Sequence, residues 1–277
     1  MAPSFYENDS LKWRKRLIVG GLVMQQTAST ILEYHWWWKD DYHRFNFESD
    51  GGFNNYSLGV DKIGHLYTSY FYYHAINEVM KYGNCSKKSR RIVSIAMPAI
   101  WALSVEIGDG FSSYNFSPED LLANFIGIGY GVLQDEVPYL NNFKIKFGYF
   151  PSNYFRNNQF RNWSLTSDYN GHLYWFTADV HSLLNKPYKK YWPKGLNLGF
   201  AYGVDGFTEV DQLGYWVANR QIQRKFVIGL DWNLGAIQTK KQSVKTVLNI
   251  ADYIHLPAPG IRRINPNKTN AEFLLLN

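Results

Sequence analysis

Three short blocks place ionisable side chains at helical spacing: D-K-I-G-H at Asp61 to His65, V-E-I-G-D-G at Val105 to Gly110, and S-P-E-D-L-L-A-N at Ser117 to Asn124. On a helix, Asp61 and His65 at i and i+4 share one face within hydrogen-bonding range. An aspartate there fixes the imidazole tautomer and raises its basicity, as a general base or nucleophile requires. The alternative for the pair alone is an aspartate at a helix start beside a satisfied histidine. Glu106 and Asp109, at i and i+3, close an apolar helix where the macrodipole disfavours negative charge. Lys62, a metal ion or a protonated His65 would compensate them; the alternative is a solvated helix end. Asp120 and Asn124 again share a face by i, i+4 spacing. Asp120 also fits an S-x-x-D capping box with Ser117. Asn124 falls within L-L-A-N-F-I-G-I, where an unpartnered amide costs about 1 to 3 kcal/mol. A helix-to-helix hydrogen bond would satisfy it.

Other polar clusters carry less. D-Y-N-G-H-L-Y-W at Asp168 to Trp175 reads first as an Asn-Gly hairpin, and second as a place where Asp168, Asn170 or His172 meets substrate. The run His35 to Trp38, followed by Asp40, Asp41 and His43, suggests a metal site by residue type but has no regular ligand spacing. The chain contains no G-x-S-x-G elbow, Walker loop or dinucleotide fingerprint. Its single cysteine, Cys85, excludes an intrachain disulfide and a multi-cysteine metal site.

The elements that must position these residues change character near residue 140. Helical periodicity marks helices at 15–38, 60–82, 88–109 and 117–135, with Pro98 kinking the third without ending it. Ser117 and Pro118 start the fourth as N-cap and first helical residue. Gly127, Gly129 and Gly131 suit close approach of another helix, with a lipid chain as the alternative. Period-two alternation then predicts strands at Lys144–Phe150, Leu173–Val180, Leu196–Val204, Lys225–Leu234 and Val244–Tyr253. In the third of these, large apolar residues face one way and small ones the other, as in outer-membrane barrels. Five or six strands fall short of the roughly eight that close a spanning barrel, which favours an antiparallel sheet packed on the helices. The predicted fold is therefore α+β: a membrane-associated helical bundle at 1–140, a β-rich region packed on it at 141–256, and an extended tail at 257–277.

Aromatic residues make up 18% of the chain, an amount that suits a membrane interface as well as a β-rich core. The net charge of +6 favours anionic partners such as phospholipid head groups. The basic residues are scattered, and the densest group, K-W-R-K-R at Lys12 to Arg16, precedes an apolar run, so nucleic acid is not the expected partner. Leu17 to Leu32 is interrupted by polar residues and falls short of the roughly 18 to 20 apolar residues of a spanning helix. It reads as a helix of the folded body, and the Met1 to Ser4 start reads as one that can stand in for a removed leader.

In this order, D-K-I-G-H-L-Y-T-S-Y, E-I-G-D-G-F and F-S-P-E-D-L-L-A-N-F-I-G resemble the signature of VanZ-like and YfiM-like proteins. D-Y-N-G-H-L-Y-W resembles the Bacteroidetes branch of the YfiM-like group. The resemblance implies that Asp61, His65, Glu106, Asp109, Asp120 and Asn124 line one pocket. It also implies a cell-envelope location on the periplasmic side of the outer membrane. VanZ has a glutamine in the second block where this chain has Asp109, so glycopeptide resistance does not carry over. The expected activity is cleavage or exchange of a phosphoester head group on a lipid or lipid-linked substrate at the membrane surface. In it His65, oriented by Asp61, is base or nucleophile, and Glu106 or Asp109 is the acid or holds a divalent cation. Lys62 would stabilise phosphate charge, and Asp120 and Asn124 would position the head group. The alternative is a non-catalytic envelope protein whose polar cluster fixes helix packing.

Overall fold

Four long helices come first: α1 (Asp9–Glu33), α2 (Val60–Tyr82), α3 (Lys87–Gly110) and α4 (Pro118–Glu136). The computed structural model describes residues 9–157, 166, 168–206, 209–210, 216–217, 222–264 and 268–275. Side chains that satisfy orphan backbone donors set two of the helix starts. Ser86 accepts from the Ser89 amide at 3.1 Å to open α3. Ser117 accepts from the Asp120 amide at 3.2 Å to open α4, with Pro118 in the first turn. Pro98 lies inside α3, which continues past it to Gly110. The first helix departs from expectation at its end: after Glu33 the chain makes one wide π-turn over Tyr34–Trp38, closed by Lys39 N–H donating to the Tyr34 carbonyl at 2.8 Å.

The central helix is α2, which buries Val60, Tyr67, Tyr70, Tyr73, Ile76 and Met80. α4 meets it at Gly127, where an added Cβ would come within 2.1 Å of the Leu66 carbonyl oxygen. Only a glycine allows that approach. Gly131 lies against the Tyr73 ring in the same way, whereas Gly129 faces open space.

The C-terminal part is a six-stranded antiparallel sheet in the order β1-β2-β3-β6-β7-β8. Its strands are β1 (Phe143–Tyr149), β2 (His172–Ala178), β3 (Leu196–Asp205), β6 (Gln223–Trp232), β7 (Ala258–Ile264) and β8 (Lys268–Leu275). A separate pair, β4 (Glu209–Val210) with β5 (Trp216–Val217), lies between β3 and β6 in sequence. The fold class is thus α+β. The free edge of β1 is covered, because Phe147 N–H donates to the Tyr253 carbonyl at 3.0 Å and His255 N–H donates to the Phe147 carbonyl at 2.8 Å. Tyr67 of α2 packs its ring on Phe147 and Tyr174 at 5.5 and 5.9 Å, joining helices to sheet.

Three expectations are corrected. The segment Val244–Tyr253 is not a strand: Gln242–Ala251 forms the helix α7. Its β-branched residues suggest a strand, but Val244, Val247, Leu248 and Ala251 recur at helical spacing. Asn249 of α7 also donates to Glu78 of α2 at 2.8 Å. The tail from Pro257 is not a loose arm, because β6 offers an unpaired edge that β7 completes and β8 extends. Asn170–Gly171 is not a hairpin turn between two strands either. It lies in a short 3-10 turn (Tyr169–Gly171) that ends the long connection from β1 to β2. The one-turn helices α5 (Asn153–Asn157) and α6 (Val180–Leu183) and short 3-10 turns at Pro138–Asn142, Lys186–Tyr191 and Leu234–Ala236 also lie in this region.

Candidate functional site

The three sequence blocks meet where the start of α2, the end of α3 and the start of α4 converge. His65 occupies the middle. Its Nε2 lies 3.7 Å from Asp61 Oδ1 and 3.6 Å from Asp120 Oδ1, and its Nδ1 lies 3.7 Å from Glu106 Oε1. The Asn124 amide nitrogen is 3.1 Å from Nδ1, and the Asn124 oxygen accepts from Ser69 Oγ at 2.7 Å. With the hydroxyl donating to the oxygen, the amide NH₂ faces Nδ1 and the neutral imidazole carries its proton on Nε2. That proton points at the two aspartates.

Lys62 lies on the far side of the same carboxylates. Its ammonium contacts Asp50 and Asp120 closely and Asp61 at 3.0 Å. An ammonium has three donors, and here three carboxylates take them. Asp61 also accepts from Tyr169 Oη at 3.2 Å, and Tyr169 in turn pairs with Tyr56 Oη at 3.2 Å. The Ser117 backbone N–H donates to Glu106 Oε2 at 3.2 Å, so the last turn of α3 helps cap α4. The other Glu106 oxygen, Oε1, is buried with no hydrogen-bond partner among the described residues.

Asp109 is held apart from this ring. Trp38 Nε1 donates to its Oδ1 at 2.7 Å, and the indole lies over Gly108, where a Cβ would come within 2.3 Å of the ring. The wide turn at the end of α1 carries Trp38 to that position.

Burial and neighbouring charge act against each other here. Burial disfavours the His65 imidazolium, but Asp120, Asp61 and Glu106 outweigh it and raise its pKa above the ordinary histidine value. Burial likewise opposes the Lys62 charge, and Asp61 and Asp120 reverse this and hold it protonated. Asp61 falls below the usual range, since His65 and Lys62 overcome its burial. Asp120 rises, through burial and then the charge of Asp61, only partly offset by His65 and Lys62. Burial pushes Glu106 up to about 8, against the pull of His65, and Asp109 up to about 7, against the Trp38 hydrogen bond. At neutral pH Glu106 is therefore mostly protonated beside a histidine that readily holds a proton.

Among the described residues, Asp61, His65 and Asp120 form a group whose ligand atoms lie within 4.8 Å of one another, close enough to hold a metal ion. Their chemistry suits a hard or borderline divalent cation. Lys62 already balances both carboxylates, so a metal ion there would have to displace or repel its ammonium.

Every expected site residue except Asp109 joins the ring directly. The sequence blocks did not single out Asp50, Tyr56, Tyr169 and Trp38, which come from loops, the turn after α1 and another part of the chain, or Ser69, which continues the Asp61–His65 face by a further i, i+4 step. Tyr169 had a nearby signal in the D-Y-N-G-H block, and Trp38 in the run His35 to Trp38. The other polar groups of that block face inward: buried Asp168 accepts from the Ser152 amide at 2.8 Å, and the Asn170 carbonyl accepts from Lys225 Nζ at 2.9 Å. His172 is buried as well. At the other minor cluster, His43 pairs with Asp41 at 2.7 Å.

Residues 49–136 match the model of a family described as a predicted periplasmic lipoprotein (DUF2279). The matched stretch runs from the loop before α2 to the end of α4. It contains Asp50, Asp61, Lys62, His65, Glu106, Asp109, Asp120 and Asn124, while Trp38 and Tyr169 lie outside it. The family description agrees with the cell-envelope, periplasmic-side location expected from the sequence. No curated protein and no solved structure matches the chain.

Proposed function

We propose that this protein is a cell-envelope enzyme that cleaves or exchanges phosphoester head groups of lipids or lipid-linked substrates, with His65 as its proton-transferring or nucleophilic group. The observation that carries this reading is the setting of His65. Its side chain keeps 19% of its surface exposed, while Glu106 and Asn124 behind it are sealed from solvent. Asp61 and Asp120 flank Nε2, and Asn124 fixes the ring from the other edge. A partly exposed histidine with a raised pKa, supported by carboxylates, is suited to proton transfer near neutral pH.

The geometry refines the expected roles. Glu106 faces Nδ1 and is sealed from solvent, so it tunes the protonation of His65 rather than meeting substrate. Lys62 holds Asp61 and Asp120 in place, and the charge available to an anionic head group is that of protonated His65. Tyr56 and Tyr169 border Asp61 and would contact the bound group. The likeness of the three blocks to VanZ-like and YfiM-like proteins supports the same reading.

One observation favours the non-catalytic alternative: the saturation of Lys62 by three carboxylates resembles a network that fixes helix packing. The two readings separate when wild type and His65→Gln are incubated with phospholipids and lipid-carrier phosphates, with and without divalent cations. Mass spectrometry follows head-group release, and thermal melting follows the fold. The enzyme reading requires release by wild type and its loss in a variant that melts normally. A variant that melts far below a wild type without activity supports the packing network.

A further inference from the structure

The sheet is built with its polarity reversed over much of its area. Over Leu196–Tyr202 of β3 and Lys225–Trp232 of β6, large apolar residues occupy the exposed and half-buried positions, and polar or small residues, with Val227, occupy the buried ones. Leu198, Phe200, Phe226 and Ile228 are exposed, while Asn197, Lys225 and Asp231 are buried. The buried face combines charge pairing and small residues with one apolar cluster, Leu173, Trp175, Ala201, Val227 and Leu275. Lys146, sealed from solvent, contacts Asp231 at 2.7 Å and Asp252 at 2.9 Å, and Gly199, Ala201 and Gly229 leave room for Trp175 between them. An ordinary half-exposed antiparallel sheet puts its apolar face on the core and its polar face in water. Here the order is inverted, as in a strand whose outer face meets hydrocarbon.

The exposed apolar residues form a continuous row. Phe176 pairs with Phe200, Phe200 with Ile228 and Ile228 with Ile261 across four neighbouring strands. These four are 46% to 59% exposed and contiguous, whereas apolar surface residues that need no explanation are scattered singly. Phe273 of β8, 83% exposed, extends the row, and an open apolar depression of about 520 Å³ lies between it, Leu198 and Ile261. The row also continues into the helices. Phe143 stacks on Phe176 at 5.9 Å and touches Tyr139, which follows exposed Leu133 and Val137 at the end of α4.

Basic and aromatic residues border this surface at both strand ends. At one end, Leu196 lies opposite Trp232, and the segment leading into β3 carries exposed Lys186, Lys190, Lys194, Tyr188 and Tyr191. At the other, Arg224 and Arg263 are paired to Val204 and Phe226. Apolar strands bounded by tyrosine, tryptophan and basic side chains match the depth profile of an anionic bilayer leaflet, with hydrocarbon below and phosphate above.

We propose that the outer face of the sheet, centred on Phe176, Phe200, Ile228 and Ile261, inserts into the interface of an anionic phospholipid bilayer, with the Lys186–Lys194 segment at the head groups. This surface lies outside the histidine site, and insertion does not require turnover there.

The test uses the full chain with vesicles of phosphatidylglycerol and phosphatidylethanolamine. In a Cys85→Ser background, Ile228→Cys carries a spin label, and oxygen and a water-soluble nickel chelate compete to relax it. Insertion predicts that adding vesicles raises the oxygen effect and suppresses the nickel effect. The double variant Phe200→Ser with Ile228→Ser, altered only at exposed positions, should melt like wild type. Its vesicle affinity in flotation should fall by roughly tenfold or more. Vesicles of neutral phosphatidylcholine should bind more weakly. His65→Gln should float as wild type does, so failure of the proposed chemistry leaves this result intact. A label at 228 that stays water-accessible with vesicles would overturn insertion. So would equal flotation of wild type and the double variant, or a wild type that dimerises through this face and does not float.

Discussion

The Asn124 amide nitrogen lies 3.1 Å from Nδ1 of His65, and the same side chain accepts from Ser69 at 2.7 Å. One buried amide on α4 thereby fixes both the tautomer of a histidine on α2 and the packing of the two helices. Because the amide donates to a nitrogen lone pair, it stabilises neutral imidazole. Asn124→Ala should raise the His65 pKa further, read by NMR titration of the imidazole, and should cost about 1 to 3 kcal/mol of stability by denaturant unfolding. A pKa that falls or stays fixed would show that the amide is turned the other way.

Glu106 gives a pH dependence with a defined sign. Its folded pKa, pushed up to about 8, exceeds the ordinary value of 4.5, so the native state retains a proton that the unfolded state has lost. Stability is greatest below the unfolded pKa, falls as pH rises from about 4.5, and levels off above about 8. Asp109, raised to about 7, acts in the same direction over a lower range. Glu106→Gln removes the larger part of this dependence. Its melting temperature should decline less than that of wild type between pH 5 and pH 8, by a few degrees. Parallel melting curves across that range would refute the buried, protonated carboxyl.

Helix packing makes a paired prediction. Gly127→Ala would drive a Cβ to 2.1 Å from the Leu66 carbonyl, so α4 must shift away from α2, carrying Asp120 and Asn124 with it. The expected cost is about 2 kcal/mol or more. Gly129→Ala meets nothing within 4 Å and should stabilise α4 by roughly 0.5 to 1 kcal/mol. Urea unfolding of the two variants distinguishes them, and equal effects would contradict the helix approach.

Much of this arrangement can be read in the sequence because helical spacing acts locally. Asp61 with His65, and Asp120 with Asn124, fall on one face whatever the rest of the chain does, and the Ser117–Pro118 start fixes the register of α4. What brings the two faces together is less local. Gly127 indicates a close approach without naming its partner, and Gly129, of the same composition and neighbourhood, faces open space. Tyr169 and Asp50 reach the site across long loops, whose paths follow from tertiary packing rather than periodicity. In Gln242–Ala251, β-branched residues favour a strand locally, yet packing on α2 through Asn249 accompanies a helix. β7 and β8 depend on the edge of β6, which no short window of the tail contains.

The resemblance and the structure meet at His65. Its partners come from three helices, and removing its ring nitrogens without removing its volume tests whether that convergence serves chemistry.

The most direct measurement is head-group release from a phospholipid and lipid-carrier panel by wild type and His65→Gln, followed by mass spectrometry alongside thermal melting. The account predicts release by wild type and a loss of roughly a hundredfold or more in a variant that remains folded. Equal release by the two proteins, or no release by wild type with any panel member, would contradict a catalytic His65.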